Sequence, residues 1–167
     1  MENTQEFNVN KSLGYLLGRC AKSMGEQLQQ RFQASGLEVT MGHWIILAQL
    51  WNEDGLSQQE ISNRSGVAKP NVTTMVDMLE RESFIVRIPD QIDRRINRIF
   101  LTQKGKDLRV HAVEQARGVY DTALDGLSQK EIAVLFKALR TVFANLQADG
   151  AGAVSCSEKL SDSPKTA

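Results

Sequence analysis

The chain has 167 residues, 41% of them hydrophobic and 24% charged, with 20 basic and 20 acidic side chains and so no net charge. That length holds one ordinary domain with a real core, and the composition is that of a folded globular protein. No apolar run approaches the roughly 18 residues that span a bilayer, and the start MENTQEFNVN is polar and acidic rather than a secretory leader, so a cytoplasmic location without a membrane partner is expected. Cys20 and Cys156 offer neither a disulfide framework nor zinc spacing, and His43 and His111 add no ligand cluster, so no metal site is expected.

The charge is unevenly spread. Residues 57–109 carry ten basic and seven acidic side chains, whereas residues 1–56 carry four and six, and residues 110–167 six and seven. A surface that binds phosphates needs local positive potential, not a basic whole.

Helical periodicity dominates the chain. Leu13, Leu17, Cys20, Met24 and Leu28 recur at spacings of four and three, one stripe of a long amphipathic helix from about Val9 to Ala34 that Gly36 ends. Thr40 is a good N-cap for a second helix bearing Trp44, Leu47, Ala48 and Trp51, which Asp54-Gly55 ends. In that helix Trp44 reads as core and His43 as a surface residue.

Ser57-Gln58-Gln59-Glu60 is a capping box, in which serine and glutamate satisfy each other's orphan amides, and it opens a short helix to about Arg64. Ser65-Gly66-Val67 is a tight turn with a glycine free to take positive φ. Pro70 then sits in the first turn of another helix, whose buried stripe is Val72, Val76 and Leu79 with Met75 beside it. Two short helices joined by a glycine turn make a helix-turn-helix.

Beyond Ser83 the period changes. Val86 and Ile88 alternate with Arg87, and Ile99 and Leu101 flank Phe100, so both stretches read as short strands. Between them runs Pro89-Asp90-Gln91-Ile92-Asp93-Arg94-Arg95, polar and rich in turn residues, and the whole is a β-hairpin wing. Thr102 caps a long helix to about Leu124. A second capping box, Ser128 to Glu131, opens a last helix in which Ile132, Phe136, Leu139, Phe143 and Leu146 recur at four and three, with Leu135 and Val142 beside them. The expected fold is therefore mainly α with a small β-hairpin wing, a winged helix-turn-helix flanked by N- and C-terminal helices whose wide apolar faces need a partner surface. The divisions are residues 1–36, 37–101 and 102–147, with 148–167 read as a polar, disordered tail.

With Val72, Val76 and Leu79 facing inward, the outer face of the Pro70 helix presents Lys69, Pro70, Asn71, Thr73 and Thr74, short or flexible groups suited to base edges and phosphates. A capped helix and a glycine turn ahead of it put this helix where a recognition helix sits, with Ser57 and Gln58 at the neighbouring helix start. Arg94 and Arg95 at the wing tip, with Arg87 and Arg98 on its strands, suit a narrow, electronegative minor groove, and Asp93 is placed to hold one of the two tip guanidiniums while the other reaches DNA. No spacing supports a nucleophile with its base and no glycine-rich phosphate loop is present, so neither an enzyme nor a cofactor is expected.

The stretch LSQQEISNRSGVAKPNVTTMVDMLERESFIVRIPDQIDRRINRIFLTQKGKDL resembles the multiple antibiotic resistance regulator (MarR) family: Asp90, Asp93, Arg94 and Arg95 form its Asp-x-x-Asp-Arg-Arg wing, and Leu101, Thr102 and Gly105 its closing Leu-Thr-x-x-Gly. The resemblance implies a dimeric transcriptional regulator on a pseudo-palindromic operator, a ligand-responsive repressor, with the recognition helix in the major groove and the wing in the minor groove. It implies an interface built from Leu13, Leu16, Leu135, Leu139, Val142, Phe143 and Leu146. It also implies a small aromatic or phenolic acid effector between the dimerisation and DNA-binding parts, near Gly14, Leu17, Gly18, His43, Trp44 and Leu47. Gly14 and Gly18, one turn apart, suit either close helix packing or ligand space. Asn71, Thr74 and Ser83 depart from the family pattern, Ser83 standing where a glycine is usual. A peroxide-sensing branch carries a cysteine near Gly14 of this chain, not at Cys20, so Cys20 is expected to be a buried structural thiol; a redox response through Cys20 and a protein-binding winged helix are the rival readings.

Overall fold

The computed structural model describes residues 9–157. A 3-10 turn over Val9–Lys11 precedes α1 (Leu13–Ala34), so the helix begins later than its periodicity suggests, at an N-cap where Ser12 Oγ accepts from Tyr15 N. There follow α2 (Met41–Asn52), β1 (Leu56–Ser57), α3 (Gln58–Ser65), α4 (Lys69–Arg81), β2 (Ile85–Pro89), β3 (Asn97–Leu101), α5 (Gln103–Leu124) and α6 (Gln129–Ser157). The chain divides into two compact units, one up to Ala123 and one from Leu124. None of the described helices is long and apolar enough to cross a membrane.

The first unit closes over one core. Ile46, Leu47 and Leu50 of α2 meet Ile61 of α3 and Val72, Val76 and Leu79 of α4, all shielded from solvent, and Leu28 and Phe32 bring in only the last turns of α1. Both tryptophans of the chain lie on α2 within this unit: Trp44 and Trp51 stack edge to face with ring centres 5.7 Å apart, and Phe32 packs 5.9 Å from Trp44. The buried indole N–H of Trp51 donates to Gly105 O at 2.9 Å, so the one polar atom of that ring is satisfied. Gly105, the glycine of the Leu-Thr-x-x-Gly motif, lies so close to the chain before β2 that a Cβ on it would fall 2.2 Å from Phe84 O.

The sheet is antiparallel with strand order β1-β3-β2. Strand β1, which the sequence pattern does not show, pairs Leu56 with Ile99 and Ser57 with Arg98. In β2 the inward residue is Ile85, paired with Leu101; Val86 and Ile88, the apolar members of the expected alternation, face solvent. The reason lies at Ser83, which has φ 62°, the one positive φ among the described non-glycine residues. This left-handed residue ends α4 with Phe84 N donating to Leu79 O, and it turns Phe84 and Ile85 into the core. A side chain in that conformation costs roughly 1–2 kcal/mol, part of which glycine would give back through its freer unfolded chain. Ser83→Gly is therefore expected to stabilise the protein by about 0.5–1 kcal/mol, read as a higher urea midpoint at unchanged slope; an unchanged or lower midpoint would refute the strain.

Cys20 is not buried: it lies on the exposed stripe of α1 with Leu13, Leu17 and Met24, because only the helix's C-terminal end packs on its own chain. In the second unit α6 bears exposed Leu135, Phe136, Phe143 and Leu146. The helix runs past Leu146 through Ser157 instead of giving way to a tail at 148; Ala148, Ala151 and Ala153 are strong helix formers and outweigh Gly150 and Gly152. Residues 158–167, the rest of the expected tail, lie outside the described residues.

Candidate nucleic-acid interface

Helix α3 forms as the sequence predicts. Ser57 Oγ accepts from Glu60 N at 3.2 Å, Glu60 Oε2 accepts from Ser57 N at 2.8 Å, and Gly66 at φ 69° ends the helix. Pro70 sits in the first turn of α4, and the buried stripe of Val72, Val76 and Leu79 leaves Lys69, Pro70, Asn71 and Thr74 exposed on one side. Thr74 Oγ1 donates back to Pro70 O, whereas Thr73 Oγ1 donates to Gln58 Oε1 at 2.9 Å. Gln58 and Thr73, both expected to read DNA, therefore hold each other and join α3 to α4 beside Ser57.

The wing tip is built on Asp90. Its Oδ1 accepts from Ile92 N at 2.8 Å and Asp93 N at 3.0 Å, an Asx turn, and its Oδ2 accepts from Arg98 Nε at 2.7 Å. Those bonds, the Arg98 one foremost, lower the Asp90 carboxyl from 3.8 to about 2. A depressed carboxylate contributes its stability above the free value and loses it as pH falls through the folded value. The wing tip is thus expected to keep its order through pH 3.8 and lose it towards about pH 2. Ile92 and Asp93 amide shifts followed through an acid titration check this; a midpoint at the ordinary carboxylate value would contradict the anchor.

The two tip arginines differ. Arg95 Nε and Nη2 each donate to Asp93 at 3.0 Å, while 91% of the side chain stays exposed. Arg94 is exposed, and no ion pair is found for it among the described residues. Arg87, expected to face DNA, instead has its guanidinium between Asp77 and Glu80 of α4 and is only 19% exposed. Arg98, which the sequence also places on a wing strand, donates to Asp90, to Glu60 at 3.0 Å and to Gly55 O.

The expected effector residues do not converge. A Cβ on Gly14 or Gly18 would meet nothing within 4 Å, Leu17 is exposed, Trp44 is half-buried in the aromatic cluster and Leu47 is sealed in the core. His43 is not a surface residue but 98% removed from solvent, because it closes the N-terminal turn of α2: Thr40 N donates to its Nδ1, and its Nε2 is buried without a partner. Burial lowers its pKa, and the Glu82 carboxylate, 3.6 Å away, only partly offsets this. His43 lines two open cavities, one of about 500 Å³ with Gln29, Gln33 and Glu82 and one of about 280 Å³ with Asn71, Thr74 and Met75.

A capped helix, a glycine turn, a second helix with a polar outer face and an arginine-tipped hairpin beside it define a winged helix-turn-helix. Residues 39–96 match the model of the MarR family. The chain is similar to YybA of Bacillus subtilis, described as an uncharacterized HTH-type transcriptional regulator, at 26% identity over 115 residues, 68% of this chain and 75% of that one. It is similar in structure to the transcriptional repressor CouR bound to a 23-mer DNA duplex, with a TM-score of 0.72 at 25% identity, over 84% of this chain and 99% of the other. Its fold is also that of Bordetella bronchiseptica BpsR, whose DNA binding is regulated by 6-hydroxynicotinic acid, with a TM-score of 0.74 at 20% identity over 81% and 96% of the two chains.

Proposed function

We propose that this protein is a transcriptional regulator that acts as a homodimer on a pseudo-palindromic operator, as a repressor that a small aromatic acid releases. The carrying observation is that Lys69, Asn71 and Thr74 of α4 and Arg94 and Arg95 of the wing tip are all exposed, on a helix and a hairpin that Arg87 ties together. Asn71 and Thr74 supply the short polar groups that read base edges in a major groove, and the wing supplies cationic groups for the minor groove. The dimer is supported by the exposed leucines and phenylalanines of α1 and α6, which two-fold association would cover. The effector reading is supported by the two cavities beside His43, the smaller of which reaches Asn71 and Thr74 of α4, and by the regulation described for BpsR. An acid that prefers a dimer with its recognition helices wrongly spaced lowers operator affinity by its differential affinity for the two states.

The test is selection of duplexes from a random pool by the full chain, followed by anisotropy over a salt series with and without a panel of aromatic acids. The expected site has half-sites roughly one helical turn apart, about 34–36 Å, and an affinity that falls steeply with salt. Enrichment of no duplex, or salt-independent binding, would favour a protein-binding winged helix; operator affinity unmoved by every acid would remove the effector.

A further inference from the structure

We infer that Arg87 and Arg98 are positioning residues, a two-sided clamp that fixes the wing to the helix-turn-helix and so sets where the wing enters the minor groove; this rests on the DNA-reading role proposed above. The hairpin has two strands, and each carries one arginine directed back into the protein. From β2, Arg87 is bonded through Nη2 to Asp77 and through Nη1 to Glu80, two residues one turn apart on α4, and Glu80 also accepts from Arg87 N at 3.2 Å. From β3, Arg98 takes Asp90 with Nε, and with Nη1 it reaches Glu60 and Gly55 O. Glu60 is the carboxylate that caps α3 through Ser57 N, and Asp90 is the acceptor that shapes the wing tip. One guanidinium thus joins wing to recognition helix, and the other joins wing tip to the start of α3.

Planar guanidiniums suit this task, because each fork satisfies two acceptors in fixed directions, which a lysine ammonium does not. Each also has two carboxylates against its one positive charge, so neither site offers net positive potential to a phosphate. The clamp and a direct phosphate contact therefore predict effects of opposite sign when the acidic partners are neutralised. Asp77→Asn and Glu80→Gln remove negative charge near DNA and free Arg87; a direct contact would then bind every duplex more tightly and keep its preference for A·T-rich flanks. A clamp loses the placement of the wing instead.

The experiment compares wild type, Asp77→Asn, Glu80→Gln, Arg87→Gln and Arg98→Gln in the full chain. Affinities are measured for one selected core flanked by A·T-rich or G·C-rich sequence, so that general electrostatic changes cancel in the ratio. Amide exchange of residues 85–101 is measured without DNA, with circular dichroism to confirm that the helices remain. The expected result is a several-fold loss of flank discrimination in all four variants, and amide exchange in the wing at least about tenfold faster, while the salt slope of Arg87→Gln stays at the wild-type value, without the drop of about one unit that a lost phosphate contact gives. Protection left as in wild type overturns the clamp whether or not the protein reads DNA. Tighter binding with discrimination kept in Asp77→Asn overturns it in favour of a direct contact. Failure of wild type to bind any duplex would fall on the proposed function, leaving the wing exchange to decide the clamp.

Discussion

On the proposed function, Phe143→Asp is expected to separate the proposed dimer into folded monomers and to remove operator binding at the concentrations where the wild type is saturated. Phe143 is 65% exposed on α6, so the change costs the isolated protomer little packing. In a two-fold interface it counts twice, and each large apolar side chain left unburied forfeits roughly 1.5–3 kcal/mol. The sum, about 3–6 kcal/mol, raises the dissociation constant by roughly two to four orders of magnitude. The half-buried Leu139 is the poorer probe, since an aspartate there also disturbs packing within the protomer. Sedimentation gives the mass and circular dichroism the helix content. A wild-type chain that stays monomeric at micromolar concentration, or a Phe143→Asp chain that remains dimeric, would place the interface elsewhere or nowhere.

Arg95→Ala is expected to cost most of the discrimination at the wing, and Arg94→Ala to weaken binding evenly across sequences. Arg95 is held along one edge by both Asp93 oxygens, which leaves its remaining N–H groups pointing outward from a side chain 91% exposed. A guanidinium already oriented loses little freedom on entering a groove, and its hydrogen bonds there are worth about 1.5–3 kcal/mol, or about 10- to 100-fold in affinity for A·T-flanked sites. Arg94 has no such guide and suits a phosphate, so its removal lowers the salt slope by about one unit. Asn71→Ala, on the exposed face of α4, should instead relax preference at particular base pairs by roughly 1–3 kcal/mol. Anisotropy against matched and mismatched duplexes over a salt series separates the three patterns. Equal behaviour of Arg94→Ala and Arg95→Ala would show that Asp93 confers no distinction between them.

The helix-turn-helix was legible because its signals are local. A serine and a glutamate three apart, a glycine at the turn and a proline in the first turn each specify backbone geometry within a few residues, and all stand where expected. Strand β1 was not legible, since two residues cannot show an alternation. The face of β2 was misread because Ile85, Val86 and Ile88 are all apolar; the left-handed turn at Ser83 decides which enters the core. Helical periodicity says which face of α1 or α2 is apolar but not which other element meets it, so Gly14, Gly18 and Leu47 were grouped with His43 although they lie in exposed and sealed places respectively. The engagement of Arg87 needed the approach of α4 to β2, a contact between residues ten apart.

The aromatic pair on α2 makes the chain optically lopsided. Trp44 and Trp51 are its only tryptophans and Tyr15 and Tyr120 its only tyrosines, so the unit from Leu124 onward contains neither. Intrinsic tryptophan emission therefore follows the first unit alone, whereas far-ultraviolet dichroism, to which the 29-residue α6 contributes, follows both units. Melting of α6 apart from the rest passes unseen in fluorescence and appears in dichroism as a separate loss of helix, and a single shared transition is the spectroscopic mark of two units that unfold as one.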